Sequence, residues 1–342
     1  MAHMKHGAFR KRSGPDIISI GSGVIDHYAR SGAFELKRDA HAPAGYDTCF
    51  PLGAKLKMDE IVMQTGGGAT NAAVTFSHLG LKTATVCRVG NDALGNIVKT
   101  ELASEGIDTS LVQTDKKIGT GQSIILLADI GYRSILVYRG ASAQISRLEI
   151  PWKKMEPRWF YVTSLGGDLG LMSLILDRAE AIGASVFWNP GGSELKKGMH
   201  KLKPLMRRVD VFDVNREEAA ELTDQSPRHL RKIVKIIGLL PKVALMVSDG
   251  PRGAYLHTKC CTWYAPPLPG KRVNTTGAGD ALGSGFIAGF LKTCDLAVGL
   301  KVGMLNALGV ITTMGAKGGI LESWPNEKVL NRVKVKPARL RD

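Results

Sequence analysis

Four consecutive residues near the C-terminal end, Gly277-Ala278-Gly279-Asp280, have the types and spacing for chemistry on an anion. They lie within Val273-Asn274-Thr275-Thr276-Gly277-Ala278-Gly279-Asp280-Ala281-Leu282-Gly283-Ser284-Gly285-Phe286, a glycine-rich turn followed by small and apolar residues without proline as far as Leu291. This pattern predicts a buried helix starting near Ala278, whose first amides lack intrahelical acceptors and bind anions. Asp280 falls in the first turn, where the dipole stabilises a carboxylate close to any anion held by the Gly277, Ala278 and Gly279 amides. Donors for a phosphate's developing charge and a base for a hydroxyl proton are together what phosphoryl transfer to an alcohol requires. Spacing alone fits a second account equally well, an aspartate-capped helix after a tight turn.

The stretch resembles the signature of the ribokinase-like (PfkB) family of carbohydrate and nucleoside kinases, commonly D-T-T-G-A-G-D followed by a small-residue helix. Asn274 replaces the first aspartate and the other six positions agree. The resemblance implies an α/β three-layer sandwich with a mainly parallel central sheet and a small β lid. It also implies transfer of the γ-phosphoryl group of ATP, with Mg2+, to a hydroxymethyl group of a sugar or nucleoside, Asp280 taking the proton. In the family the first aspartate often helps to bind a potassium-like ion. A neutral amide supplies no charge, so activity is expected to be largely independent of potassium.

Residues 16–20 read as a buried first strand, followed by Gly21-Ser22-Gly23-Val24-Ile25-Asp26. This begins like a dinucleotide fingerprint, but Asp26 replaces the third glycine and a long polar segment replaces the helix, which excludes that reading. No Walker-A sequence occurs in the chain. Ribokinase-like enzymes carry an aspartate here that hydrogen-bonds substrate hydroxyls, so Asp26 is expected to bind the acceptor; its other reading is a turn cap. Thr65-Gly66-Gly67-Gly68-Ala69-Thr70-Asn71 resembles the family's G-G-x-x-x-N motif, adding Gly67, Gly68 and Asn71 to the acceptor site. Glycines permit close approach to the backbone, and an asparagine can both donate to and accept from hydroxyls. Residues 27–64 mix aromatics with charges and prolines, and by resemblance form one part of the lid. The second part is expected at 122–128 and 134–139, joined through a hairpin signal at Asp129-Ile130-Gly131-Tyr132-Arg133. Tyr28, Phe34, Tyr46 and Phe50 could cover the base of a nucleoside, pack on each other or form a homodimer contact through the lid.

From 159 onward strands and helices alternate, which predicts a parallel sheet with helices on both faces and ligands at the strands' carboxyl ends. A basic helix is expected over 195–208 and a small-residue helix over 296–314. Asn215-Arg216-Glu217-Glu218 resembles the family's N-x-x-E motif, in which Glu218 would organise Mg2+ through water and Asn215 approach the phosphates; alone it reads as a capping box. Ser248, Gly250 and Gly253 match the family's nucleotide loop and are expected to contact ATP, although a plain turn before a hairpin has the same composition. No adenine contact is carried over to Met304 or Asn306.

The expected organisation is one kinase domain over 14–330, with lid insertions at about 27–64 and 119–140. An N-terminal tail, 1–13, starts with the probable cloning remnant Met1-Ala2-His3, and 331–342 form a basic tail. The five cysteines have no C-x-x-C spacing, which fits a reduced cytoplasmic setting better than a disulfide framework. No apolar run is long enough to span a membrane. A net charge of +15 raises nucleic-acid binding as an alternative. Yet the basic clusters at 5–12, 196–208, 228–235 and 328–341 lack interleaved aromatics, and a solvated face accounts for them. A sensor of the same fold that binds without catalysis is the other alternative, and the intact Asp280 argues against it.

Overall fold

Short apolar runs that alternate with helices produce strands buried on both faces, and a parallel sheet is the arrangement that covers both. A computed structural model of the chain describes residues 14–42, 45–127 and 133–340. The core strand Ile17–Ile20 pairs in parallel with Thr83–Val86 on one side and Trp159–Val162 on the other. Ser185–Trp188, Val211–Asn215 and Ala244–Ser248 continue the parallel order. Ala254–Thr258, Thr262–Ala265 and Lys336–Pro337 then close that edge antiparallel, making nine strands.

Strand periodicity divides the side chains between two faces. Phe160, Trp188 and Phe212 enter one core with the helix Leu169–Ile182. Trp159, Tyr161 and Phe187 enter the other, beneath the helices Ala278–Thr293 and Leu296–Ile311. Tyr161 and Phe187 stack there at 4.4 Å. The helix pair packs tightly because an added Cβ on Gly285 would come 2.8 Å from the Gly303 Cα, and one on Gly289 would come 2.9 Å from the Gly299 Cα.

The lid is a separate four-stranded sheet, ordered Arg133–Tyr138, Gly121–Leu127, Val24–Arg30, Glu60–Gly66. Its start differs from the sequence reading, since the polar stretch after Gly23 is a lid strand with Asp26 in it. Residues 128–132, which carry most of the expected hairpin signal, lie outside the described residues, as do residues 1–13. The expected basic helix is two, Gly192–Leu195 and Met199–Met206, divided at Gly198 with φ +79°. The helix expected to reach 314 stops at Ile311. Residues 331–340 are not a free tail: Val333 is buried and Lys336–Pro337 adds the edge strand. Among the described residues no helix is long and apolar enough to cross a membrane.

Candidate active site

The helix Ala278–Thr293 begins where Gly277 takes a left-handed conformation, φ +79°. A Cβ there would come 2.7 Å from that of Ala316, so glycine alone permits this entry to the helix. The Ala278 amide makes only a long 3.3 Å turn bond to the Thr275 carbonyl. Asp280 stands in the first turn, half-buried, with Oδ2 accepting from Asn71 Nδ2 at 2.8 Å. Burial raises its carboxyl above the usual range; the Asn71 bond opposes this, and the charge of Asp26 adds to it.

Two cavities meet at this helix start. A polar one of about 230 Å3 is lined by Asp26, Gly67, Asn71, Gly277 and Asp280. A larger one of about 720 Å3 is lined by Asn215, Ser248, Gly250, Gly253, Ala278 and Gly279. The second volume suits a nucleotide-sized ligand, and the turn between Thr275 and Asp280 is the wall between the two. Nearly all residues singled out from sequence are thereby gathered on two sides of one helix start.

Asp26 is buried on the lid strand with its carboxylate against the Gly66 Cα, where an added Cβ would fall 2.1 Å from Oδ2. Burial raises its carboxyl, while the Ser123 side chain and the Lys317 ammonium pull it back. Asn71 is buried on the first turn of the helix Gly68–His78, and its Oδ1 has no partner. Gly68 lines neither cavity; its amide donates to Ser22 Oγ at 3.1 Å.

Glu218 also lines neither cavity. Its Oε2 accepts from the Asn215 amide at 2.9 Å while Asn215 Oδ1 accepts from the Glu218 amide at 2.8 Å, the reciprocal capping box. Glu217, one residue earlier, lines the nucleotide-sized cavity instead. Buried Asp213, two residues before Asn215, has an unpartnered Oδ1 and a carboxyl held well above its ordinary range by burial, Glu218 and Asp280. Asp213 is thus a buried carboxyl set beside two others and short of positive charge. Among the described residues no three His, Cys, Asp or Glu side chains are arranged to grip a metal directly.

Motif reasoning missed several lining residues. Gln122, Ser123 and Tyr138 come from the lid strands, Arg139 directly follows them, and Arg272 precedes the signature. Their only sequence signal is polar residues interrupting apolar lid strands. Met304 does line the larger cavity, whereas Asn306 is fully buried and donates to Thr75 Oγ1 and the Ala281 carbonyl. Of the four candidate base-covering aromatics, Phe34 and Phe50 pack on each other at 6.4 Å and Tyr28 is buried. None of the four lines the smaller cavity.

Comparison with known proteins identifies the family. The family model described as pfkB family carbohydrate kinase matches residues 19–323. The chain is 25% identical to a ribokinase of Haemophilus influenzae over 75% of its own length and 83% of that protein. It is 28% identical to an uncharacterized sugar kinase of Archaeoglobus fulgidus, over 72% of this chain and 98% of the relative. An Arabidopsis thaliana ribokinase solved with ribose and ATP superposes with a TM-score of 0.74 at 19% identity, covering 93% of this chain and 98% of that one. Fold, signature and paired cavities converge on one assignment: the chain belongs to the pfkB family of carbohydrate kinases.

Proposed function

We propose that the chain transfers the γ-phosphoryl group of ATP to a hydroxymethyl group of a sugar held in the smaller cavity. The observation that carries this reading is the shared wall: Asp280 opens on the acceptor side and Ala278 and Gly279 on the nucleotide side of one helix start. Asp26 and Asn71 bind acceptor hydroxyls and aim one at Asp280, which accepts its proton as the oxygen attacks phosphorus. The Gly277–Gly279 amides hold the charge that develops on the phosphoryl oxygens. Asn215, Ser248, Gly250 and Gly253 seat the nucleotide.

Mg2+ accompanies ATP in this reading. The orphaned Asp213 oxygen and the neighbouring Glu218 carboxyl fit a hard cation reached through water, most of whose ligands come from phosphate. When bound, the ion would supply positive charge against the phosphates as charge develops there. All five cysteines are unpaired, which supports a reducing, cytoplasmic setting. A homodimer through the lid is supported by the register row Met63, His27, Ile124, Leu136, which lies on the sheet face opposite Asp26 and Ser123. Met63, Ile124 and Leu136 in that row are exposed. Sedimentation equilibrium decides the oligomeric state. ADP release from MgATP across ribose, fructose, their phosphates, ketodeoxygluconate, adenosine, inosine and cytidine tests the activity; no acceptor-stimulated release from any of them defeats the reading.

A further inference from the structure

Lys317 belongs to the Gly315-Ala316-Lys317 loop beyond the helix Leu296–Ile311, and its side chain is only 12% exposed. Its ammonium pairs with Glu101 Oε1 at 2.7 Å and donates to Thr65 Oγ1, which itself donates to Glu101. Glu101 comes from the helix Ala93–Ser104 and Thr65 from the lid strand Glu60–Gly66. The residues just before the lysine are tightly packed. Ala316 packs on the Gly277 turn, and the Gln64 amide fills the space where Gly315 would bear a side chain.

This places a buried cation under the acceptor site. Thr65 directly precedes Gly66, against which the Asp26 carboxylate rests. Burial lowers the Lys317 ammonium's pKa and Glu101 opposes that shift, so the chain bears a desolvation cost to keep a charge here. An ion pair of purely structural use could be replaced by apolar side chains at little loss. The other groups around Asp26 do not substitute for it. Ser123 helps through a hydrogen bond but is neutral, His27 acts in the same direction as Lys317 but less, Tyr28 follows along the strand, Asp280 faces Asp26 with like charge, and Arg139 lies at the exposed edge of the cavity.

We propose that Lys317 is a positioning residue of the acceptor site, whose ammonium, fixed by Glu101 and Thr65, places a positive charge behind Gly66 so that the Asp26 carboxylate resting there accepts hydrogen bonds from the acceptor. The proposal rests on the reading of Asp26 as an acceptor ligand. A sugar hydroxyl donates to a carboxylate, whereas a protonated Asp26 would compete as a donor.

The test follows the Asp26 carboxyl directly, by 13C resonance in the full chain labelled at aspartate carboxyls and assigned by its loss in Asp26→Asn. Lys317→Met should raise its titration midpoint by about one unit or more, Lys317→Arg should restore it, and Glu101→Gln should not raise it. The opposite responses to Lys317→Met and Glu101→Gln separate a charge effect from loss of a structural pair. With D-ribose and D-fructose, at a pH just below the Asp26 midpoint found by this titration, Lys317→Met should lower kcat/KM by up to about tenfold and leave kcat within about threefold. If Lys317→Met does not fold, Lys317→Met/Glu101→Gln removes both charges and must still show the raised midpoint. A midpoint moved by less than about 0.3 units, or raised equally by Glu101→Gln, overturns the proposal. Unchanged acceptor KM in Asp26→Asn overturns the acceptor reading and the proposal with it. A raised KM there, beside an unmoved midpoint in Lys317→Met, overturns the proposal alone.

Discussion

Asn71 Nδ2 donates to Asp280 Oδ2 at 2.8 Å, joining the first turns of two helices that lie 209 residues apart in the chain. The bond keeps one carboxylate oxygen engaged and fixes how the other faces the smaller cavity. It also favours the ionised form, against burial, so the residue that orients this carboxylate also lowers its proton affinity. The Asn71 oxygen, unpartnered in the protein, remains available to an acceptor hydroxyl.

Asp280→Asn should abolish turnover with little change in fold or ATP affinity, since the amide keeps the shape and cannot take a proton. The loss expected for a general base is about 10²–10⁴ in kcat. Acceptor-stimulated ADP release within about threefold of the parent would remove Asp280 from that role.

Asn71→Leu removes the side-chain bond that offsets the burial of Asp280. Its carboxyl should rise further, so the base is protonated over more of the acid range and the acid limb of kcat moves to higher pH. Activity should fall about tenfold more at about pH 6 than at about pH 8.5 for a shift of one unit. A limb that stays in place, with kcat lowered equally at all pH values, would show that Asn71 orients without tuning.

The parts legible in the sequence were those dictated by local chemistry. A glycine that must be left-handed and a small-residue helix follow from Gly277 to Phe286 directly, and the buried strands follow from apolar runs such as 17–20 and 159–162. The lid strand Val24–Arg30 was not legible because Asp26 and His27 break its apolar pattern, and only its two neighbouring strands turn that polar residue inward. Glu218 shows the reverse case: its sequence context suits both a capping box and a magnesium site, and the capping box engages only its Oε2. Lys317 carried no signal at all, since an isolated lysine in a loop is ordinarily solvated and only tertiary packing buries it.

Asn274 is buried, its Oδ1 accepts from the Thr276 amide at 3.1 Å, and its Nδ2 has no acceptor. An oxygen already engaged and a side chain without charge make a poor cation ligand. Exchange of tetramethylammonium for potassium should therefore change kcat/KM by less than about tenfold. A larger rise would mean that backbone carbonyls suffice to hold the ion.

Asp213 offers a stability test whose sign is fixed. Its folded pKa lies well above the ordinary carboxyl value through burial and then Glu218 and Asp280. Its stabilising contribution is thus full below the unfolded pKa and lost as pH rises through the folded one. Asp213→Asn removes that loss and can keep accepting from Asn189, which lies 3.3 Å from the native Oδ2. In the absence of magnesium the variant should melt a few degrees higher than the parent at about pH 8, and no higher at about pH 3.5. Equal melting at both pH values would mean that water or a counter-ion already relieves the buried carboxyl.

The smaller cavity decides between sugar and nucleoside. A nucleoside's flat base needs apolar or aromatic cover, and the aromatic residue that lines this cavity is Tyr138, beside Asp26, Asn71, Gln122, Ser123 and Ser142. Phe34 and Phe50, the rings that could have supplied such cover, pack on each other in the outer lid. A volume of about 230 Å3 with this density of donors and acceptors matches an acceptor that is hydroxylated on every side. Ribose or fructose should therefore exceed adenosine, inosine and cytidine in kcat/KM by about tenfold or more, because a base left half in water contributes little binding to the transition state. Replacement of Gln122 by Ala should raise the sugar's KM severalfold and leave the KM for ATP unchanged, which places the loss on the acceptor side. A nucleoside that outperforms both sugars would require the lid to bring further apolar surface over the cavity and would overturn the preference argued from its lining.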